Sequence, residues 1–122
     1  MASTAAFQPG PTMSVYFATK AFVLSFSETI AYELKGTGVT VTALCPGATE
    51  TGFKAAAALD KRNLFKGNAI AGSKEVAEFG YKAMMKGKTV VIHGFMNALI
   101  VQSVRFAPRN LVTAIARLKL KE

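Results

Sequence analysis

Tyr16 and Lys20 stand four residues apart in a stretch, 13–35, that holds neither proline nor glycine. On a helix that spacing sends both side chains out on one face as neighbours. The pairing has a chemical use. A free phenol titrates at roughly pH 10, too high for efficient proton exchange near neutrality. A close ammonium favours the phenolate and turns the tyrosine into a usable general acid/base. A tyrosine at the edge of a buried stripe beside a solvated lysine would show the same spacing, so the pair alone decides nothing. Its companions carry more weight. Ser3 lies thirteen residues before Tyr16, Ala18 and Thr19 sit within the Tyr–Lys interval, and Val39 to Cys45 leads into Pro46-Gly47. Thr51 follows that glycine by four residues.

The elements that must position these residues are legible from pattern. Gln8-Pro9-Gly10-Pro11 is a strong turn signal, so residues 1–12 read as a loop. A helix over 13–35 follows and stops at Gly36, which suits a left-handed cap. The β-branched run 39–45, bounded by Gly38 and Pro46, predicts a strand buried on both faces. Residues 53–72 read as a helical loop region. Ser73 is positioned to cap a further helix with Glu75 in its first turn, its buried face marked by Val76, Phe79, Ala83 and Met84. That helix ends near Gly87, and Thr89 to Ile92 is a second short strand. Pro108 divides the remainder into two helices. Two strands joined through a helix are expected to be parallel. The fold class is therefore α/β, the C-terminal half of a Rossmann-type doubly wound parallel sheet.

Ser3, Tyr16-Phe17-Ala18-Thr19-Lys20, Pro46-Gly47 and Thr51, in this order and spacing, closely resemble the short-chain dehydrogenase/reductase family over about residues 3–94. The resemblance implies an oxidoreductase that moves a hydride between NADP or NAD and a small-molecule carbonyl or alcohol. It assigns Ser3 to the substrate oxygen and Tyr16 to proton delivery or removal. Lys20 would hold the nicotinamide ribose and lower the tyrosine pKa. Pro46 and Gly47 would lie against the nicotinamide, and Thr51 would meet the cofactor's carboxamide or phosphates. On this reading 1–94 is the catalytic half of the domain and 95–122 a basic amphipathic extension.

The departures from the family pattern matter as much. No G-x-x-x-G-x-G run occurs in the sequence, so the backbone donors that receive a pyrophosphate at a helix N-terminus are missing. The residue that selects NAD or NADP, the Asn-Asn-Ala-Gly stretch and the family's catalytic asparagine are missing with it. The expectation is a chain that binds the dinucleotide weakly and is inactive alone. A catalytically inactive piece that self-associates is the alternative.

In helix 13–35, Val15, Thr19, Phe22, Val23, Phe26, Ile30 and Leu34 form one apolar arc, with Phe17, Ala21, Leu24 and Ala31 beyond it. A helix apolar on more than one face is buried on more than one side. The first set is expected in the core, and the second against a copy of the chain, as family members commonly pair.

Composition narrows the partners. With 51% hydrophobic and 18% charged residues the 122-residue chain is globular and long enough for one modest core. The formal charge of +8 is spread along the sequence without an arginine–aromatic cluster, which argues against nucleic acid. One cysteine, Cys45, excludes an intramolecular disulfide and reads as a small core residue. His93 is the one histidine, so no metal site is expected. The cytoplasm is the expected compartment. The apolar, basic tail from Phe95 leaves two readings open, a helix covering the sheet edge or subunit contact and a membrane-surface module.

Overall fold

The structure, a computed structural model, describes residues 1–50 and 71–121. Thr4–Phe7 forms a 3-10 turn, followed by α1 (Ser14–Glu33), β1 (Ala43–Cys45), β2 (Thr49–Glu50) and β3 (Ala71–Gly72). Helix α2 (Ser73–Met85), β4 (Val90–Ile92), α3 (Phe95–Val104) and α4 (Arg109–Lys121) complete the order.

Strands β1 and β4 pair in parallel, with Ala43 opposite Val90, Leu44 opposite Val91 and Cys45 opposite Ile92. This is the α/β arrangement the pattern predicts. The first strand is shorter than the β-branched run, because its partner offers only three residues. Ahead of the ladder the Thr42 hydroxyl donates to the Lys88 carbonyl at 2.6 Å, while Val39 is 56% exposed. The other edge of β1 is occupied by the start of the chain. Ala2 N–H donates to Leu44 O at 2.8 Å and Thr4 N–H to Pro46 O at 3.0 Å. These two bonds advance by two residues on both sides, the repeat of a parallel ladder. They carry Ser3 to the end of β1.

The core gathers on this three-segment sheet. Ala2, Leu24, Ala43 and Cys45 form one buried cluster, with Phe7, Val23, Val90 and Ile92 packed against it. Small residues dominate because the backbone segments run close together.

Helix α1 corrects the expected burial. Phe17 and Leu24 are buried, whereas Val15, Phe22 and Phe26 of the expected core arc are 75%, 69% and 54% exposed. The helix is apolar on both sides, so periodicity could not select the inner face. Packing selects it. Leu24 enters the core cluster, and the Phe17 ring lies against Gly10, where a Cβ would overlap it. The helix ends at Glu33, two residues before the expected Lys35, and Gly36 lies in the turn beyond it in the left-handed region, at φ +85°.

Ser73 is also not the cap it was expected to be. It is the first residue of α2, behind Gly72, and makes no side-chain cap bond. Val76 and Ala83 are buried as expected, but Met84 is exposed. Gly80 brings α2 close to the sheet, since a Cβ there would stand 2.6 Å from a Leu44 methyl. Residues 71 and 72, read as part of a helical loop, instead form β3 in parallel with β2. The rest of that loop and Thr51 lie outside the described residues. Pro108 separates α3 from α4 as predicted. Among the described residues no helix is long and apolar enough to cross a membrane.

Candidate functional site

Where β1 ends, the chain meets the N-terminal part of α1 across a cavity of about 550 Å³. Ser3, Tyr16, Lys20, Pro46 and Gly47 all line it, although Ser3 and Gly47 are 44 residues apart in sequence. Five of the six sequence-predicted residues are thus brought to one concavity. Thr51 is the sixth, outside the described residues.

The backbone ladder beside β1 places Ser3, and the 3-10 turn fixes its hydroxyl. Ala5 N–H donates to Ser3 Oγ at 3.1 Å, making Ser3 the cap of that turn. The hydroxyl itself donates to Pro46 O over a long 3.5 Å. That bond is weak and easily exchanged for a better acceptor.

Tyr16 and Lys20 leave neighbouring turns of α1. Lys20 Nζ lies 5.7 Å from the centre of the Tyr16 ring, within the range in which a cation interacts with an aromatic face. It also donates to Met1 O at 3.3 Å, which draws the ammonium toward Ser3's segment. Phe17 meets the Tyr16 ring edge-on at 5.9 Å, so the phenol is braced by a buried side chain.

Pro46 is buried and ends β1 without an N–H to offer. Gly47 follows in a place where no larger residue fits, because a Cβ would run into the Asn97 side chain. Asn97 is held there by its own bond, Nδ2 to His93 O at 2.9 Å. Sequence reasoning did not single out Asn97. The signal was present, an amide in the first turn of an otherwise apolar helical stretch. The apolar wall from Met13, Val76 and Leu120 was missed as well. For Leu120 no local signal exists, since only the tertiary path of the chain brings it to the cavity.

Two other side chains take structural places. Cys45 is fully buried, and desolvation with a further contribution from Glu28 pushes its thiol up to about 11. His93 packs edge-on to Phe79 at 5.1 Å and reaches Glu75 Oε1 at 3.1 Å. Among the described residues no group of three or more His, Cys, Asp or Glu is placed to hold a metal ion.

Comparison with known proteins gives the family. The model of the short chain dehydrogenase family matches residues 1–62. Over 76 residues, 57% of this chain and 29% of the relative, the sequence is 41% identical to a sulfoacetaldehyde reductase of Chromohalobacter salexigens. An uncharacterized oxidoreductase of Myxococcus xanthus is 27% identical over 96% of this chain and 44% of its own length. Among solved structures, a short-chain dehydrogenase from Sphingobium yanoikuyae in complex with NADPH superposes with a TM-score of 0.70 at 28% identity, covering 90% of this chain and 42% of that one. The protein belongs to the short-chain dehydrogenase family. The chain spans less than half the length of these relatives.

Proposed function

We propose that this chain supplies the substrate and proton-exchange side of an NADP- or NAD-dependent oxidoreductase acting on a carbonyl or hydroxyl group. The observation that carries the reading is the convergence of Ser3, Tyr16, Lys20, Pro46 and Gly47 on one cavity. The NADPH complex of the solved relative supports the nicotinamide cofactor, and the reductase relative makes aldehydes the first substrates to test.

The residues present fit one end of such a dinucleotide. Lys20 offers a cation at the cavity and Gly47 an edge without a side chain. The glycine-rich run that would take the pyrophosphate is not among the 122 residues. When bound, the dinucleotide supplies a hydride to the carbonyl carbon. In that direction Tyr16 gives its phenolic proton to the substrate oxygen as negative charge develops there. Ser3 turns its O–H from the long Pro46 contact to the same oxygen, while the Ala5 amide keeps Oγ in place. Lys20 stabilises the phenolate left behind, which then recovers a proton from water. Oxidation of an alcohol runs the same exchange in reverse.

Isothermal titration of the 122-residue chain with NADPH and with NAD tests the cofactor side. Millimolar or weaker association is expected, because the backbone donors of a phosphate loop are lacking. Micromolar binding would contradict this division of labour.

Self-association is a second reading, favoured by the outward face of α1. There Phe22 and Phe26 stack in parallel with ring centres 5.9 Å apart, and both are more than half exposed. Exposed aromatic patches of this kind drive association. Sedimentation equilibrium should find species heavier than 13.0 kDa. A monomer with a cooperative melt would oppose it.

A further inference from the structure

Residues 95–121 contain Arg105, Arg109, Arg117, Lys119 and Lys121 and no aspartate or glutamate. Their helices pack by one side only. In α4, Val112 and Ala116 are buried, and a neighbouring flank of the helix, roughly 100° round from them, presents Leu111, Ile115 and Leu118, which are 51%, 47% and 68% exposed. These three recur at i, i+4 and i+7, so they form a single stripe along the helix. Arg117 and Lys119 bracket Leu118 in sequence, and each leaves the helix roughly 100° round from it, on opposite sides. At the α3–α4 junction Phe106 is 89% exposed between Arg105 and Arg109. Arg105, Arg109, Arg117 and Lys119 make no ion pair among the described residues.

An exposed apolar stripe beside cations that make no ion pair among the described residues needs an occupant that is apolar in the middle and anionic at the rim. A second copy of this chain is a poor one. A two-fold contact sets the same patch against itself, which would face one basic segment with another, and residues 95–121 hold no acid to offset the repulsion. We propose that the α3–α4 segment docks on an anionic lipid bilayer. Leu111, Ile115, Leu118 and Phe106 enter the acyl boundary, and the basic side chains meet the headgroup phosphates and carboxylates. No membrane span is involved. Because Leu120 of the same helix lines the cavity, docking holds that cavity near the lipid surface. The proposal stands independently of the chemistry assigned to Tyr16.

Co-sedimentation of the full 122-residue chain with vesicles is the test. Vesicles of phosphatidylcholine with phosphatidylserine should bring the protein down, and pure phosphatidylcholine should bring down little. Binding should weaken as salt rises, since surface attraction is screened. Arg117→Gln and Lys119→Gln should each lower the partition about fivefold. The pair Ile115→Ser with Leu118→Ser should lower it about tenfold or more, as the inserted apolar area is lost. All four positions are exposed, so thermal melts of the variants should match the parent, and a matching melt separates lost docking from lost folding. Equal binding to both vesicle types, no binding to either, or pelleting without lipid that grows with protein concentration would overturn the proposal. So would charge variants that bind as the parent does.

Discussion

Residues 2–5 and 43–46 lie against one another with Ala2, Ala43 and Cys45 almost wholly buried, whereas residues 95–118 leave Phe95, Phe106 and Leu118 largely open. The first region is held by backbone bonds that cross more than forty residues, such as Ala2 N–H to Leu44 O at 2.8 Å. Its side chains are small because the segments must come close, and what projects from it is polar and aimed at a cavity. The second region is held by a few buried aliphatics, Val101, Val112 and Ala116, and its larger side chains face away from the molecule. The residues to which the proposed function assigns chemistry therefore sit where the backbone is over-determined. The surface proposed for docking lies on helices that are not.

The contrast is sharpest within α1, which belongs to both worlds. Phe17→Ala should cost about 3–5 kcal/mol, because a buried ring beside Gly10 is lost and a cavity replaces it. Phe22→Ala, on the outward face, should change monomer stability by no more than about 0.5 kcal/mol. Urea titrations of the two variants measure both. Equal costs would erase the distinction between inner and outer faces.

A smaller effect comes from Cys45, whose thiol rises from 9.0 to about 11 in the folded chain. The neutral thiol is the favoured folded form, so its contribution is complete below pH 9.0 and is lost as pH climbs toward 11. In that window the unfolded chain gives up its proton first. Stability should fall by up to about 1.4 kcal/mol per pH unit. Cys45→Ala should lack this alkaline slope, which melts between pH 8 and 10 would show, at roughly the ordinary cysteine range and just above it. A slope unchanged by the substitution would assign it elsewhere.

Gly80→Ala is expected to cost about 1–3 kcal/mol, since its methyl would overlap Leu44 and push α2 off the sheet. Gly72→Ala, with open space around it, is the control. Thermal melts of both test whether close backbone approach is what organises the site region.

The sequence made the site legible to a degree that it did not make the surfaces legible. Tyr16, Lys20, Pro46 and Gly47 could be named because, with Ser3 and in this order, they resemble the motif of a known family, whereas their spacing alone decides nothing; Gly36 and Gly87 marked where helices end to within a few residues. Phe17 and Phe22 could not be ranked, as both lie on apolar sides of one helix and only the tertiary contact with Gly10 and β1 separates them. Pairing of residues 2–4 with β1 was invisible, since a ladder between distant segments leaves no local periodicity. Leu120 in the cavity and Asn97 under Gly47 depend on the same long-range return of the chain.

The central claim is that Tyr16 exchanges the proton in the cavity it shares with Ser3 and Lys20. It is tested most directly by Tyr16→Phe in residues 1–122 joined behind a glycine-rich nucleotide-binding half of this family, with NADPH-linked aldehyde reduction and NADPH binding measured on the same preparation. The account predicts a loss of turnover of about 10²-fold or more with NADPH affinity nearly unchanged, because only the exchanging hydroxyl is removed. Retention of more than about a tenth of the turnover would contradict it.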